Sequence, residues 1–316
     1  MNTQRIILAG GTGFLGRALA LEFSALGYEV LVLTRHPDRI VPGVRMVPWD
    51  GRTAGPWTAE LEGARAVINL TGKNVNCRYT ERALAEINAS RVESVRTLGD
   101  AMHRCLLPPE VWVQACSLAI HGDAGDRECD ELAPPGTGVP VKTCQKWETA
   151  FAHSPTPRTR RVVLRISFVL DRGQGALRML ERVTRCFLGG SIGSGRQFIS
   201  WIHLRDMVRV FLRAVENPNM TGLYTATSPG PVSNADFMRM LRKTLHRPWS
   251  PPVPAWLVPL GCLLLRTEPV LALTGRKGVP RRLLDEGFRF EFPDLEGALA
   301  DLYQEPRLSA RGARSG

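Results

Sequence analysis

The chain has 316 residues, 44% of them hydrophobic and 22% charged, a balance that excludes a disordered or collagen-like polymer and calls for a large lobe with a smaller one appended. Its 41 basic and 30 acidic residues give a net charge of +11, but the excess is mostly single arginines without interleaved aromatics. That pattern disfavours nucleic acid and leaves an anionic small molecule as the partner to expect.

From the start of the chain, Ile6, Ile7 and Leu8 form a short apolar run closed by glycines, the signature of a strand covered on both faces. No charged segment, long apolar stretch and cleavage site precede it, so a cytoplasmic location is expected. Phe14, Leu15, Ala18, Leu19 and Leu26 then make a helical stripe that Gly27 ends. Further apolar runs at 29–33, 44–47, 66–70, 111–116 and 162–166 alternate with helices predicted over about 81–105 and 144–152. The alternation predicts an α/β Rossmann fold, a doubly wound parallel sheet with a smaller C-terminal lobe.

The expected division is a nucleotide-binding lobe at 1–170 with a returning segment at about 197–228, and a smaller substrate lobe at 171–196 and 229–304. Within the smaller lobe a helix is predicted at 234–245, capped by Ser233. The apolar stretch 256–265 is interrupted by Pro259 and Gly261 and falls well short of the ~20 residues of a membrane span, so it reads as a buried or interdomain helix. The polar, Gly-rich 305–316 reads as an unstructured tail. Cys77, Cys105, Cys116, Cys129, Cys144, Cys186 and Cys262 are odd in number and contain no C-x-x-C pair. They point to a reducing compartment and against a zinc site or disulfide framework.

Between the first strand and the first helix stands Gly10-Gly11-Thr12-Gly13-Phe14-Leu15-Gly16. In this spacing Gly10 permits the tight turn, Gly13 lets the backbone approach a pyrophosphate, and Gly16 lets the helix pack close to the sheet while its amides face the anion. At the end of the second strand, where an NAD site carries an acid for the ribose hydroxyls, the chain reads Thr34-Arg35. An arginine there accommodates a 2′-phosphate, which favours NADP(H); Asp38 is the counterargument, with an ordinary turn acid as its plain alternative.

The glycine turn, together with Trp49-Asp50, Ile68-Asn69-Leu70-Thr71-Gly72, Ser90-Arg91-Val92, Lys146-Trp147-Glu148, Gly193-Ser194-Gly195-Arg196-Gln197 and Trp201-Ile202-His203, resembles the extended short-chain dehydrogenase/reductase superfamily. The match is closest to its atypical "epimerase family protein" subfamily, whose C-terminal segment Pro280-Arg281-Arg282-Leu283-Leu284 and Gly287-Phe288-Arg289-Phe290 resemble. The resemblance implies an NADP(H)-binding relative of nucleotide-sugar epimerases and dehydratases, acting on a small molecule such as a nucleotide sugar or other carbonyl compound. It carries cofactor contacts to Gly10 through Gly16, Thr34, Arg35, Leu70, Thr71, Glu86, Arg91 and Val169; for Glu86 and Arg91 a solvated helix face is the alternative.

Active relatives move the proton with a Tyr, a Lys four residues later and a Ser on the fifth strand. Ser117 stands at the Ser position, but Pro140 and Cys144 occupy the other two. Neither can replace a phenol whose pKa must be depressed from ~10. Lys142 and Lys146 fall on other faces of that helix. Ser117 and His121 remain as catalytic candidates, with His203 and Cys144 behind them as residues whose ordinary roles are structural. Two functions follow: an NADP(H)-dependent oxidoreductase or epimerase, or a non-catalytic NADP(H)-binding regulatory or interaction protein.

Overall fold

The computed structural model describes residues 4–38, 43–247, 249–264 and 268–303. It opens with β1 (Arg5–Ala9), α1 (Phe14–Ala25) and β2 (Glu29–Thr34). Gly27, at φ +85°, ends α1 in the left-handed conformation that a side chain resists. β3 (Val44–Pro48), β4 (Ala66–Asn69), β5 (Val111–Ser117) and the strands Arg160–Ile166 and Gly222–Ala226 complete a seven-stranded sheet. Every pairing in it is parallel. The order from one edge is Gly222–Ala226, Arg160–Ile166, β5, β4, β1, β2, β3. Direction therefore reverses at β1, which lies between β2 and β4, and the crevice beyond the carboxyl ends of β1 and β4 is where such sheets bind ligands.

Parallel neighbours require crossovers, and these cover both faces. α2 (Glu81–His103) and α3 (Val139–Ala152) lie on one face, α1 and α5 (Leu204–Glu216) on the other. The two-residue period of a strand divides β1 between two cores: Ile6 and Leu8 meet Leu19, Phe23 and Phe211, whereas Ile7 and Ala9 meet Val95, Leu98 and Trp112. A third core joins α6 (Asn234–Thr244) to the helix Leu295–Tyr303 around Trp201 and Phe237, with α4 (Leu177–Arg185) contributing Leu177. Buried Asp206 on α5 accepts the N–H groups of Glu291 and Phe292 at 2.9 and 2.8 Å, which holds the C-terminal segment against the sheet layer.

Three features depart from expectation. α3 begins at Val139 rather than near 144, because Gly138 turns at φ +111° and Pro140 suits the first helical turn. The returning segment ends in a sheet strand, Gly222–Ala226, too short and too glycine-flanked to announce itself. Over its described residues the apolar stretch at 256–265 is not a fully buried helix: Val258 and Cys262 face inward, but Trp256, Leu260 and Leu263 are exposed, since a helical period puts them on the outer side; residue 265 lies outside the described residues. Among the described residues no helix is long and apolar enough to cross a membrane. The tail expected at 305–316 lies outside them.

Arg165, nearly buried on its strand, is held by both carboxylate oxygens of Glu148 on α3, at 2.9 and 2.8 Å. Removing one partner strands the other charge in the interior. Glu148→Ala is expected to lower the unfolding free energy by about 3–5 kcal/mol in urea titration; a loss below 1 kcal/mol would show that the pair does not hold α3 to the sheet.

Candidate functional site

The turn after β1 is shaped by its glycines in three different ways. Gly10 takes φ +75° and gives its N–H to Leu33 O at 2.9 Å; a Cβ there would stand 3.0 Å from Thr71 Cα on the opposite side of the crevice. Gly13 faces open space, the nearest atom to an added Cβ being Gly10 O at 3.9 Å. At Gly16 a Cβ would come within 2.5 Å of Gly11 Cα, so the first turn of α1 closes on the loop itself, not on the sheet as expected. The close contact with the sheet belongs to Gly11, whose Cβ would meet Leu8 Cβ at 2.9 Å and Val32 Cγ2 at 3.0 Å. No side chain caps α1 and its first turn carries no acid, so the amides at its N-terminus present partial positive charge to the crevice.

One wall of the crevice joins the turn to a later loop. Arg17 donates to Thr12 O at 3.2 Å and to Gln174 Oε1 at 2.9 Å. The Phe14 ring lies 3.5 Å from the Cβ position of Gly175, which is 3.8 Å from Val169 O. Leu15 is partly buried against the first core and so shows the crevice little more than backbone. The facing wall follows β4. Buried Asn69 donates to Gln114 Oε1 at 3.0 Å and accepts the Thr71 N–H at 3.0 Å, while Leu70 N–H donates to Ala9 O at 2.9 Å. This fixes Leu70, Thr71 and Gly72 beside the glycine turn. The Thr71 hydroxyl is buried and has no hydrogen-bond partner among the described residues.

At the rim, Thr34 is buried and its hydroxyl accepts the His36 N–H at 3.0 Å, so the Thr34 side chain is already engaged in the turn. Arg35 and Asp38 are exposed just beyond it. On α2, Glu86 is paired with Lys73 and with Arg82, and these cations, Lys73 first, hold its carboxyl below the usual range. Arg91 donates to Lys73 O at 3.0 Å and Ile87 O at 3.1 Å, lies over Trp147 at 4.9 Å, and would stand 3.1 Å from a Cβ at Gly72. Burial depresses its pKa. Glycine turn, Thr71, Arg91 and Val169 thus surround one crevice, Thr34 and Arg35 stand at its edge, and Glu86 is tied up in surface ion pairs.

The proton-handling candidates separate. Ser117 ends β5 half-buried, its Oγ accepting the Ala119 N–H at 3.2 Å. His121 is fully enclosed, with Nδ1 3.2 Å from Pro134 O, and burial lowers its pKa. Cys144 is buried and its thiol is pushed up to about 11, by burial first and Glu148 second, so it carries no thiolate near neutrality. Lys142 and Lys146 point to solvent on either side of it. His203 is engaged in a structural role: its Nδ1 accepts the Arg205 N–H at 3.1 Å and caps α5 while its ring packs against Phe292. Sequence reasoning missed the Arg17–Gln174 link, the hold of Glu268 on the Tyr79 N–H at 2.7 Å, and Arg276. None belongs to a motif with a fixed spacing, and each is brought in by tertiary folding.

Two measurements check this geometry. Gly16→Ala is expected to cost about 1–3 kcal/mol of stability through overpacking, whereas Gly13→Ala, with room for the methyl, stays within about 0.5 kcal/mol of wild type; equal losses would contradict the different roles. Burial lowers the His203 pKa from 6.5 to about 4 against the opposing pull of Asp301. Between those values the unfolded chain binds a proton that the native chain refuses, so stability falls as pH drops from 6.5 to 4, by at most about 3 kcal/mol. Thermal melts across that range should show a shallower decline for His203→Gln; an unchanged slope would contradict the buried neutral imidazole.

Residues 6–224 match the model of the NAD-dependent epimerase/dehydratase family, and 253–302 match a domain of unknown function, DUF1731. The bovine (Bos taurus) epimerase family protein SDR39U1 is 36% identical over 95% of this chain and 99% of its own length. The human (Homo sapiens) protein of the same name is 33% identical over 95% and 99%. A crystal structure of the human protein with NADPH superposes with a TM-score of 0.84 at 32% identity, covering 95% of this chain and 99% of that one. With the reversed strand order and the glycine turn at its centre, the chain belongs to the NAD-dependent epimerase/dehydratase family, as an atypical extended short-chain dehydrogenase/reductase.

Proposed function

We propose that the chain binds NADP(H) and acts as an oxidoreductase or epimerase-like protein on a small molecule, a nucleotide sugar or other carbonyl compound, held between a nucleotide lobe at 1–170 with 197–228 and a substrate lobe at 171–196 and 229–304. The observation that carries the reading is the uncapped N-terminus of α1 beneath the open face of Gly13. The solved human relative with NADPH supports the choice of coenzyme.

In this reading the amides of Gly11 to Leu15 hold the diphosphate, Gly10 and Gly16 keep the turn tight, and Arg35 takes the 2′-phosphate beside Thr34. Leu70, the free Thr71 hydroxyl and Val169 line the crevice, with Arg91 behind Gly72; Glu86 acts from α2 by holding Lys73. The bound coenzyme supplies a hydride acceptor or donor. Ser117, at the carboxyl end of β5, orients a substrate hydroxyl or carbonyl by hydrogen bonding. The enclosed His121 keeps the loop after β5 in shape through Pro134. A second reading, a cofactor-binding regulator without turnover, is favoured by Pro140 and a neutral Cys144 in place of the proton-relay pair.

Calorimetric titration with NADPH and NADH tests the assignment. Wild type is expected to prefer NADPH, and Arg35→Ala to weaken NADPH about ten- to a hundredfold, the range of a charge-assisted hydrogen bond of 1.5–3 kcal/mol, while leaving NADH unchanged. An unaltered preference would defeat the 2′-phosphate role. NADPH consumption with any nucleotide sugar or carbonyl compound in a screen would decide for the enzyme over the regulator.

A further inference from the structure

The C-terminal segment delivers a cation to this cleft that the cofactor does not require. The stretch around Arg276 is pinned on three sides. Ala124 N–H donates to Gly275 O at 2.9 Å and Gly275 N–H to Asp123 Oδ1 at 3.0 Å, both in the loop after β5. Arg276 N–H donates to Phe198 O at 3.1 Å, and Ser200 Oγ donates to Arg276 O at 2.7 Å. Lys277–Gly278 pairs in parallel with Glu128–Cys129, and a Cβ at Gly278 would stand 2.6 Å from Leu118 Cδ2, next in sequence to Ser117. The backbone of Arg276 is therefore fixed at the carboxyl end of β5.

Its guanidinium is poorly served there. It makes one hydrogen bond, to Thr274 Oγ1 at 3.3 Å, and no ion pair among the described residues. Desolvation depresses its pKa, with the Asp123 carboxylate pulling the other way, although the side chain is only half-buried. A guanidinium with most of its five donors unbonded among the described residues has them free to meet the oxygens of an anion.

Arg91 approaches the same place from α2. It has carbonyl acceptors but no carboxylate among the described residues, and it lies over Trp147, one turn along α3 from Cys144. Both cations act on the Cys144 thiol. Of the other ionisable groups nearby, Glu148 is held by Arg165, the Tyr79 phenol is neutral, pushed up to about 12 by burial, and Asp123 accepts the Gly275 N–H with one oxygen while its charge acts on Arg276 without forming an ion pair. Where active relatives present an ammonium, this chain presents a small thiol within electrostatic reach of Arg91 and Arg276, and of Arg165, which Glu148 already holds.

We propose that Arg276, with Arg91 across Cys144, forms a seat for an anionic group of the substrate, a carboxylate or a phosphoryl group, so that the molecule turned over or sensed beside the coenzyme is an acid or a phosphorylated compound. Guanidinium forks match the paired oxygens of both groups. The inference rests on the cofactor reading above, since the seat adjoins the proposed coenzyme crevice.

The test is calorimetry on NADPH-saturated protein in chloride-free buffer, with inorganic phosphate in one arm and malonate in the other, so that the glycine turn is already filled. Wild type is expected to bind at least one of the two saturably at a single site, and the arm that responds identifies the group. Arg276→Gln should weaken that anion at least tenfold while leaving NADPH affinity within twofold. Arg276→Lys, which keeps the charge and loses the fork, should fall between, and it carries the comparison if the glutamine variant does not fold. No saturable anion binding by wild type, equal anion affinity in the variants, or a parallel loss of NADPH would each overturn the seat. If NADPH itself fails to bind, the cofactor reading falls alone: the same titrations on the protein without nucleotide still decide the seat by the difference between wild type and Arg276→Gln.

Discussion

The structure depends on one close approach, that of the backbone at Gly10 and Gly11 to its neighbours across the sheet. Gly10 turns left-handed against Thr71, and Gly11 lies on Leu8 and Val32 with no space for a methyl group. These contacts bring the carboxyl ends of β1 and β4 together and aim the start of α1 into the gap between them. With bulkier residues the turn would swing outward, and the uncapped amides would no longer converge where the strand order reverses. The rest of the molecule reinforces this arrangement: Asn69 and Gln114 hold the far wall, and Arg17 ties the turn to the loop around Gln174.

Around that fixed point α3 keeps its place in the frame. α3 still packs on the sheet through Trp147, Phe151 and the Glu148–Arg165 pair, as a helix carrying a proton relay would need to do. On its inward side stands Cys144, a neutral thiol, where the resemblance to active relatives leads one to expect a lysine. Positive charge has not left the cleft; it reaches the same place from α2 and from the C-terminal segment, as Arg91 and Arg276. The hydrogen bonds at Gly275 and Ser200 set how the C-terminal segment meets the loop after β5.

The parts of this account legible in the sequence are those governed by local periodicity. The apolar runs from Ile6 to Leu8 and from Val30 to Leu33, and the glycine spacing between them, are short-range patterns that tolerate little variation, so the strands, the turn and α1 could be read directly. The start of α3 could not, because Gly138 and Pro140 look equally like a loop until the helix they introduce is seen. The strand Gly222–Ala226 was hidden because its fit to the sheet edge comes from its partner, Arg160–Ile166, and not from its own composition. For His203 the ordinary structural role expected of a lone histidine is the one that tertiary context supplies, as the cap of α5. Arg276 gave no signal at all, since one arginine among many becomes distinctive only when the fold half-buries it at the carboxyl end of β5 with no ion pair among the described residues.

The central claim, that the turn after β1 grips a dinucleotide, is tested most directly by an electron-density map of crystals grown with NADP⁺. The account predicts a diphosphate against the backbone amides of Gly11 to Leu15 and a 2′-phosphate within hydrogen-bonding distance of Arg35. A nucleotide bound elsewhere, or a clear turn with no nucleotide at saturating concentration, would contradict it.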